Sequence, residues 1–159
     1  MKSVILTLLF LAASLAHGQE QQAAPAIDAA SYIELLRTDI KAQKTKLMSD
    51  GMALSEKDAE VFWPLYREYT FESDKLNDEL LALLKEYARN YENLTSQKAE
   101  ELATKNFELQ EKKLRLRKEY FEKFRKVLLP KVAARYLQLD NRINLLYDLQ
   151  LASRVPLVK

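Results

Sequence analysis

Apolar residues recur along most of this chain at helical spacing, so the hydrophobic pattern predicts helices throughout. Between Val61 and Tyr91, the residues Val61, Phe62, Leu65, Tyr66, Tyr69, Leu76, Leu80, Leu83, Leu84, Tyr87 and Tyr91 share one arc of roughly 140° at 100° per residue. One long helix, ending near Glu92, explains them all. From Leu102 onwards, Ala103, Phe107, Leu109, Leu114, Leu116, Tyr120, Phe121, Phe124, Val127 and Leu128 occupy a second arc, which ends before Pro130. Val132, Tyr136, Leu139, Ile143, Leu146 and Tyr147 carry a further helix to about Leu151. Upstream, Ile33, Leu36, Ile40 and Leu47 form a narrower stripe that runs to about Met48.

Polar residues between these runs supply the starts and stops. Ser31-Tyr32-Ile33-Glu34 reads as a capping box, in which a hydroxyl and a carboxylate satisfy amides at a helix start. Ser49-Asp50-Gly51 is expected to stop this first helix, with Gly51 in the left-handed C-terminal position. Ser55 can cap the next helix by accepting from the amide of Asp58, and Glu56, Asp58 and Glu60 lie at the positive end of its dipole. Pro64 removes one hydrogen bond and crowds the Glu60 carbonyl, so a kink near Trp63, or a separate short helix, is expected there. Thr95 caps the third helix, and Pro130 suits the first position of the fourth.

The ends of the chain read differently. Residues 1–18 have the form of a signal peptide: Lys2, an apolar run from Val4 to Ala13, and small residues at Ala16 and Gly18 before a cleavage point. Val4 to Ala16 would span only roughly 20 Å as a helix, short of the ~30 Å hydrocarbon core that a membrane anchor must cross. Residues 19–30, with Pro25 and no periodicity, read as a flexible leader. Residues 31–151 are the expected helical domain, and 152–159 an apolar, non-helical tail.

Composition narrows the chemistry. The chain has 159 residues with two glycines, one histidine and no cysteine. Two glycines leave almost no turn chemistry for a sandwich, a barrel or a phosphate-binding loop. Cleavage after Gly18 removes the only histidine, His17, so the mature chain of 141 residues holds neither thiolate nor imidazole. Ser-His-Asp triads, Cys-His pairs and histidine or cysteine metal sites are excluded, and no specific transition-metal site or cofactor is expected. Carboxylates alone show no paired arrangement in a recognisable pocket context, so no enzymatic activity is expected.

The charge is unevenly spread. Glu56 to Glu101 carries twelve acidic and six basic residues, whereas Lys105 to Arg135 carries eleven basic and four acidic. One reading pairs the two helices as an antiparallel hairpin; the other makes the basic helix a surface for partners. Export argues against nucleic acid as that partner. Inside the third helix's apolar arc lie Asn106, Gln110, Lys113 and Arg117, whose stems can cover apolar surface while their heads stay in water. With Phe121 and Phe124 they make the candidate binding face, with Trp63 and Phe71 of the second helix as the other candidate patch. Two helices of about 50 Å each imply an elongated molecule whose arcs a second copy would complete, so a homodimer is expected.

Leu54-Ser55-Glu56-Lys57-Asp58 and Leu94-Thr95-Ser96-Gln97-Lys98 lie forty residues apart, and each opens a long helix. Each resembles the LTxxQ motif that occurs twice in the Spy/CpxP family of periplasmic helical proteins, with Asp58 and Lys98 in place of the glutamine. Phe62-Trp63-Pro64-Leu65-Tyr66-Arg67-Glu68-Tyr69 is similar to exported members of the same superfamily. The resemblance implies an all-α, four-helix, antiparallel dimer shaped like a thin cradle, which holds unfolded envelope proteins in the periplasm without ATP and does no bond-making chemistry. The alternative it leaves open is an adaptor that binds one membrane-bound stress sensor.

Overall fold

In the computed structural model, residues 43–153 and 155–158 are described, and the described chain is helical apart from its connections and the tail after residue 152. Helix α1 covers 43–52, α2 is Glu56–Asn90, a single 3-10 turn is Tyr91–Asn93, α3 is Ser96–Val127 and α4 is Pro130–Ala152. The signal peptide, the leader and the Ser31 capping box lie outside the described residues, as do Ile33, Leu36 and Ile40. The fold is all-α with four helices, and α2 and α3 form the long antiparallel hairpin that the two arcs predict.

Most of the boundaries follow from capping. Ser55 Oγ accepts from the Asp58 amide at 3.2 Å and donates to Asp58 Oδ2 at 2.8 Å, so the two side chains lock the start of α2 reciprocally. Thr95 Oγ1 accepts from the Lys98 amide at 3.2 Å, but Lys98 turns away from the cap and pairs with Glu86 at 2.5 Å and Glu101 at 2.9 Å. Pro130 occupies the first turn of α4, where its missing amide costs nothing. α2 runs unbroken through Pro64 rather than splitting off a short helix. Pro64 faces solvent, so water can serve the Glu60 carbonyl while Phe62, Tyr66 and Tyr69 hold the opposite side in the core.

Two expectations for α1 are corrected. The helix does not stop at Gly51 in a left-handed turn: Gly51 is helical, α1 continues through Met52, and the positive φ of 45° falls on Ala53. Gly51 has a different use, since a Cβ there would stand 2.6 Å from Leu139 Cδ2, and its absence lets α1 approach α4 closely. The stripe is also rotated, because Met48 and Met52 are buried while Leu47 is 45% exposed. Spacing alone defines an arc of helix, and the close contact at Gly51 decides which edge of the arc turns inward.

The core is concentrated at one end of the hairpin. Phe62, Tyr66 and Tyr69 of α2 meet Tyr120, Phe124 and Leu128 of α3, Ala133, Tyr136 and Ile143 of α4, and Met48 and Met52 of α1. The Phe124 and Tyr136 rings lie 4.2 Å apart, Phe62 and Phe124 5.0 Å, and Tyr69 and Tyr120 5.4 Å. Such pairs contribute about 0.5–1.5 kcal/mol each beyond the area they bury. α4 and α1 thus cover part of the apolar arcs within a single chain. Towards the other end, the buried side chains of the hairpin are Leu81, Leu102 and Leu109. There the acidic and basic helices meet through ion pairs, Lys112 with Glu79 at 2.7 Å and Lys98 and Lys105 with Glu86. Their side chains are between 25% and 48% exposed, so water screens the pairs and they add little to stability.

The positive φ at Ala53 gives a direct test. A left-handed conformation costs an L-residue about 1–2 kcal/mol, against a smaller loss of unfolded-state entropy for glycine. Ala53→Gly is expected to raise stability by about 0.5–1 kcal/mol in urea unfolding, whereas Ala53→Val should lower it.

Candidate functional site

The four polar residues that the sequence sets within the apolar arc of α3 come together in space. Asn106, Gln110, Lys113 and Arg117 all line one groove of about 670 Å³, whose walls are α2, α3 and α4 and whose near end is closed by Lys44 and Thr45 of α1. The groove exists because α2 and α4 stand apart, bridged at the core end by aromatic side chains rather than by close backbone approach. Its composition changes along its length. Tyr69, Thr70, Ser73, Asp74, Asn77, Asn144 and Asp148 make one end polar, and Leu80, Leu84, Leu151 and Val155 make the other apolar. At the apolar end the C-terminal tail is tied down, with Tyr87 Oη donating to the Pro156 carbonyl at 2.9 Å.

Arg117 is committed elsewhere. Its Nε donates at 2.9 Å to Asp140, a carboxylate 1% exposed, and its guanidinium also donates to the Asn141 side chain. Asp140 additionally accepts from Tyr69 Oη at 2.9 Å and Asn144 Nδ2 at 3.0 Å. A buried carboxylate that loses its cation is destabilising by about 3–5 kcal/mol, so Arg117 is first a structural residue. Its charge is spent on α4, and not on the acidic α2 as the hairpin reading expects. Asp140 was missed in the sequence, although its position left a signal: it lies four residues after Tyr136 and seven after Ala133, on the buried stripe of α4.

The remaining candidates separate. Lys113 is half-buried with its ammonium 5.9 Å from the Tyr147 ring, and burial lowers its pKa below the usual lysine value, opposed by Asp148. Lys44 lies 5.4 Å from the Tyr69 ring and is lowered in the same way, opposed by Asp140 and Asp74. Phe124 is completely buried among the core rings and lends nothing to an accessible face, and Phe121 is half-buried against the same core. The exposed apolar side chains on α3 are instead Phe107 at 66%, Leu114 at 48% and, at its last residue, Val127 at 46%. Leu54 packs against the core, and of the alternative patch Phe71 is 63% exposed while Trp63 packs on Phe62. Among the described residues, no group of acidic, histidine or cysteine side chains converges in a way that could hold a metal, and no helix is long and apolar enough to cross a membrane.

No family model, curated protein or solved structure matches this chain. Its fold class is therefore defined by the helices themselves, an all-α hairpin with a packed end, a thinner end and a groove along one side.

Two tyrosines test the Asp140 network against each other. Tyr69→Phe removes a donor to a buried carboxylate and should cost about 2 kcal/mol, while Tyr66, whose buried hydroxyl has no hydrogen-bond partner among the described residues, should tolerate Phe or gain up to about 1 kcal/mol. Chemical unfolding of both variants checks the contrast.

The pH dependence follows from the same rings. Burial pushes the Tyr66, Tyr69 and Tyr136 phenols above their ordinary value of 10.0, with Asp140 reinforcing all three. Above that pH the unfolded chain releases phenolic protons that the folded chain retains, so this stability is full below about pH 10 and is lost as pH rises further. The lowered lysines shift the balance the other way, but they are two against three and less enclosed in the core. Urea midpoints measured from pH 8 to 11 are expected to fall beyond pH 10, with Tyr136→Phe flattening the fall.

Proposed function

We propose that this protein is a non-catalytic, ATP-independent chaperone or stress-accessory protein of the bacterial periplasm, exported by a cleaved signal and acting as a homodimer on unfolded or misfolded envelope proteins. The observation that carries this reading is the exposed apolar set on a positively charged helix: Phe107 and Leu114 on α3, beside Lys113 and Gln110, with Leu145 at 68% and Leu149 at 65% exposure on α4. Exposed large apolar residues beside solvated cations suit a binder that draws chains in by charge and holds them by modest apolar contact. The absence of cysteine and of any histidine beyond residue 17, and the lack of a glycine-rich loop, support binding without a reaction or a nucleotide.

In this reading the client-facing residues of α3 are Phe107, Lys113 and Leu114 rather than Arg117 and Phe124. Arg117→Glu would set a second carboxylate against Asp140, so it probes folding rather than binding. Phe107→Ser and Leu114→Ser change exposed side chains and should leave the melting temperature within about 2 °C of wild type, since exposed substitutions alter stability by about 0.5 kcal/mol or less, and for half-buried Lys113 the third change is to Gln, which sets no second carboxylate near Asp148. With two unrelated aggregating clients, the mature wild-type protein is expected to suppress light scattering at a severalfold molar excess, and the triple variant to lose most of that protection. Wild-type protein that protects neither client would sink the chaperone reading and favour the adaptor, which binds one sensor domain and ignores other proteins.

A further inference from the structure

α4 has two unlike faces. Taking Ile143 as 0° and 100° per residue, the side chains that this helix buries, Ala133, Tyr136, Asp140 and Ile143, lie between 0° and roughly 80°. On the other side Lys131, Arg135, Arg142, Leu145, Leu146 and Leu149 fall within an arc from roughly 200° to 300°, and all six are exposed. Leu145 stands 68% open to water, Leu146 54% and Leu149 65%. The spacing of apolar residues sets Leu146 on the inward stripe, but the core does not reach it. Along this outward face the cations come first and the leucines follow.

No carboxylate interrupts the face. The acidic residues of α4 are Asp140, buried against Arg117, and Asp148, in the wall of the groove. Arg135 donates to the Met52 carbonyl, a neutral group that leaves its charge unbalanced, and Lys131, Arg135 and Arg142 make no salt bridge among the described residues. Past Asp148 the sequence adds Arg154 and Lys159 and no acidic side chain. In the tail Leu157 is 88% exposed and Val158 60%, so the chain beyond the leucines is also apolar and open to water.

Charge and shape select the occupant. A second copy packed on this face about a two-fold axis would bring cations against cations, with no carboxylate to answer them. A protein partner holds a helix in a groove or fills pockets in it, whereas these leucines stand out from the side of one helix that faces away from the core. A lipid surface needs neither, because acyl chains close around apolar side chains while phosphates meet the cations of the same face. Arg142 precedes the leucines by three to seven residues, roughly 5–10 Å along the axis, and its long side chain can reach phosphate while they enter the acyl boundary.

We propose that the outward face of α4 is a docking surface for an anionic phospholipid membrane, on which the protein lies without crossing it. Leu145, Leu146 and Leu149 enter the acyl boundary, Arg142 binds headgroup phosphate, and Arg135 and Lys131 add attraction to the charged surface. Among the described residues no helix is long and apolar enough to span a membrane, in keeping with attachment from one side. Binding of unfolded proteins through Phe107 and Leu114 neither requires this contact nor follows from it.

Co-sedimentation of the mature protein with vesicles of phosphatidylglycerol and phosphatidylethanolamine tests the proposal, with phosphatidylcholine vesicles as the control of no net charge. Affinity for the anionic vesicles is expected to exceed that for the control by about tenfold or more at low salt, and to weaken as salt screens the surface. Leu145→Ser with Leu149→Ser, and separately Arg142→Glu, should each lower that affinity by about tenfold while the melting temperature stays within about 2 °C of wild type. Phe107→Ser with Leu114→Ser should bind vesicles as the wild type does. Wild-type protein that stays in the supernatant with anionic vesicles, or that binds both vesicle types equally, would overturn the proposal. Binding lost in Arg142→Glu but kept in the leucine pair would mean that the cations recognise an acidic partner without insertion, and would overturn it as well. So would a dimer that the leucine pair converts to a monomer, since the face would then belong to a second copy.

Discussion

The arrangement of three helices depends on one buried charge. Asp140 is nearly inaccessible to water, and a carboxylate in that position is tolerable only if its lone pairs are filled and its charge is balanced. Tyr69 from α2, Arg117 from α3 and Asn144 from α4 itself meet both conditions. Each partner comes from a different wall, so the network fixes the relative rotation of α2, α3 and α4, which apolar packing alone leaves loosely specified. A leucine at residue 140 could bury comparable area, but it would not discriminate between neighbouring rotations of the helices. The network lies at the boundary between the aromatic core and the groove, and it sets where one ends and the other begins.

Much of this fold was legible in the sequence. The two arcs gave the hairpin, and Ser55, Thr95 and Pro130 marked helix starts that the structure reproduces to within a residue. What was not legible were questions of neighbour rather than of period. An arc says that Phe124 and Phe107 are both on the apolar side of α3, but not that Phe124 meets Tyr136 at 4.2 Å while Phe107 meets solvent. Likewise Gly51 suggested a helix stop because glycine often serves there, whereas its lack of a side chain is used for the approach of Leu139 and the strained turn is left to Ala53. Asn106, Gln110, Lys113 and Arg117, which share the apolar arc of α3, line one groove. Their spacing could not reveal that Arg117 is tied to α4, since Asp140 lies twenty-three residues away and on another helix.

The division of the hairpin into a packed and a thin end has a dynamic consequence. Local opening takes the least free energy where buried apolar contact is sparse, and side chains that exchange solvent ion pairs for others resist it weakly. The stretch around Glu79 to Glu101 is held by few buried leucines and by exposed pairs to Lys98, Lys105 and Lys112, while Phe62 to Tyr69 is enclosed by aromatic rings on three sides. Motion is therefore expected to concentrate at the turn end, with the aromatic end as its anchor.

That asymmetry bears on how such a molecule could hold partners. A surface for many unrelated chains gains from local adaptability, because a rigid face complementary to one sequence excludes others. Phe107 lies in the thin half of α3, within two turns of the ion pairs made by Lys105 and Lys112, and Leu114 lies at the transition towards Arg117. The apolar groups available to a partner thus sit on the part of the helix least restrained by the core, and the residues that fix the helix, Tyr120, Phe124 and Arg117, are withdrawn from solvent. Recognition and folding are in this way assigned to different lengths of one helix, which lets the accessible half vary in shape without disturbing the buried charge that holds the three walls together.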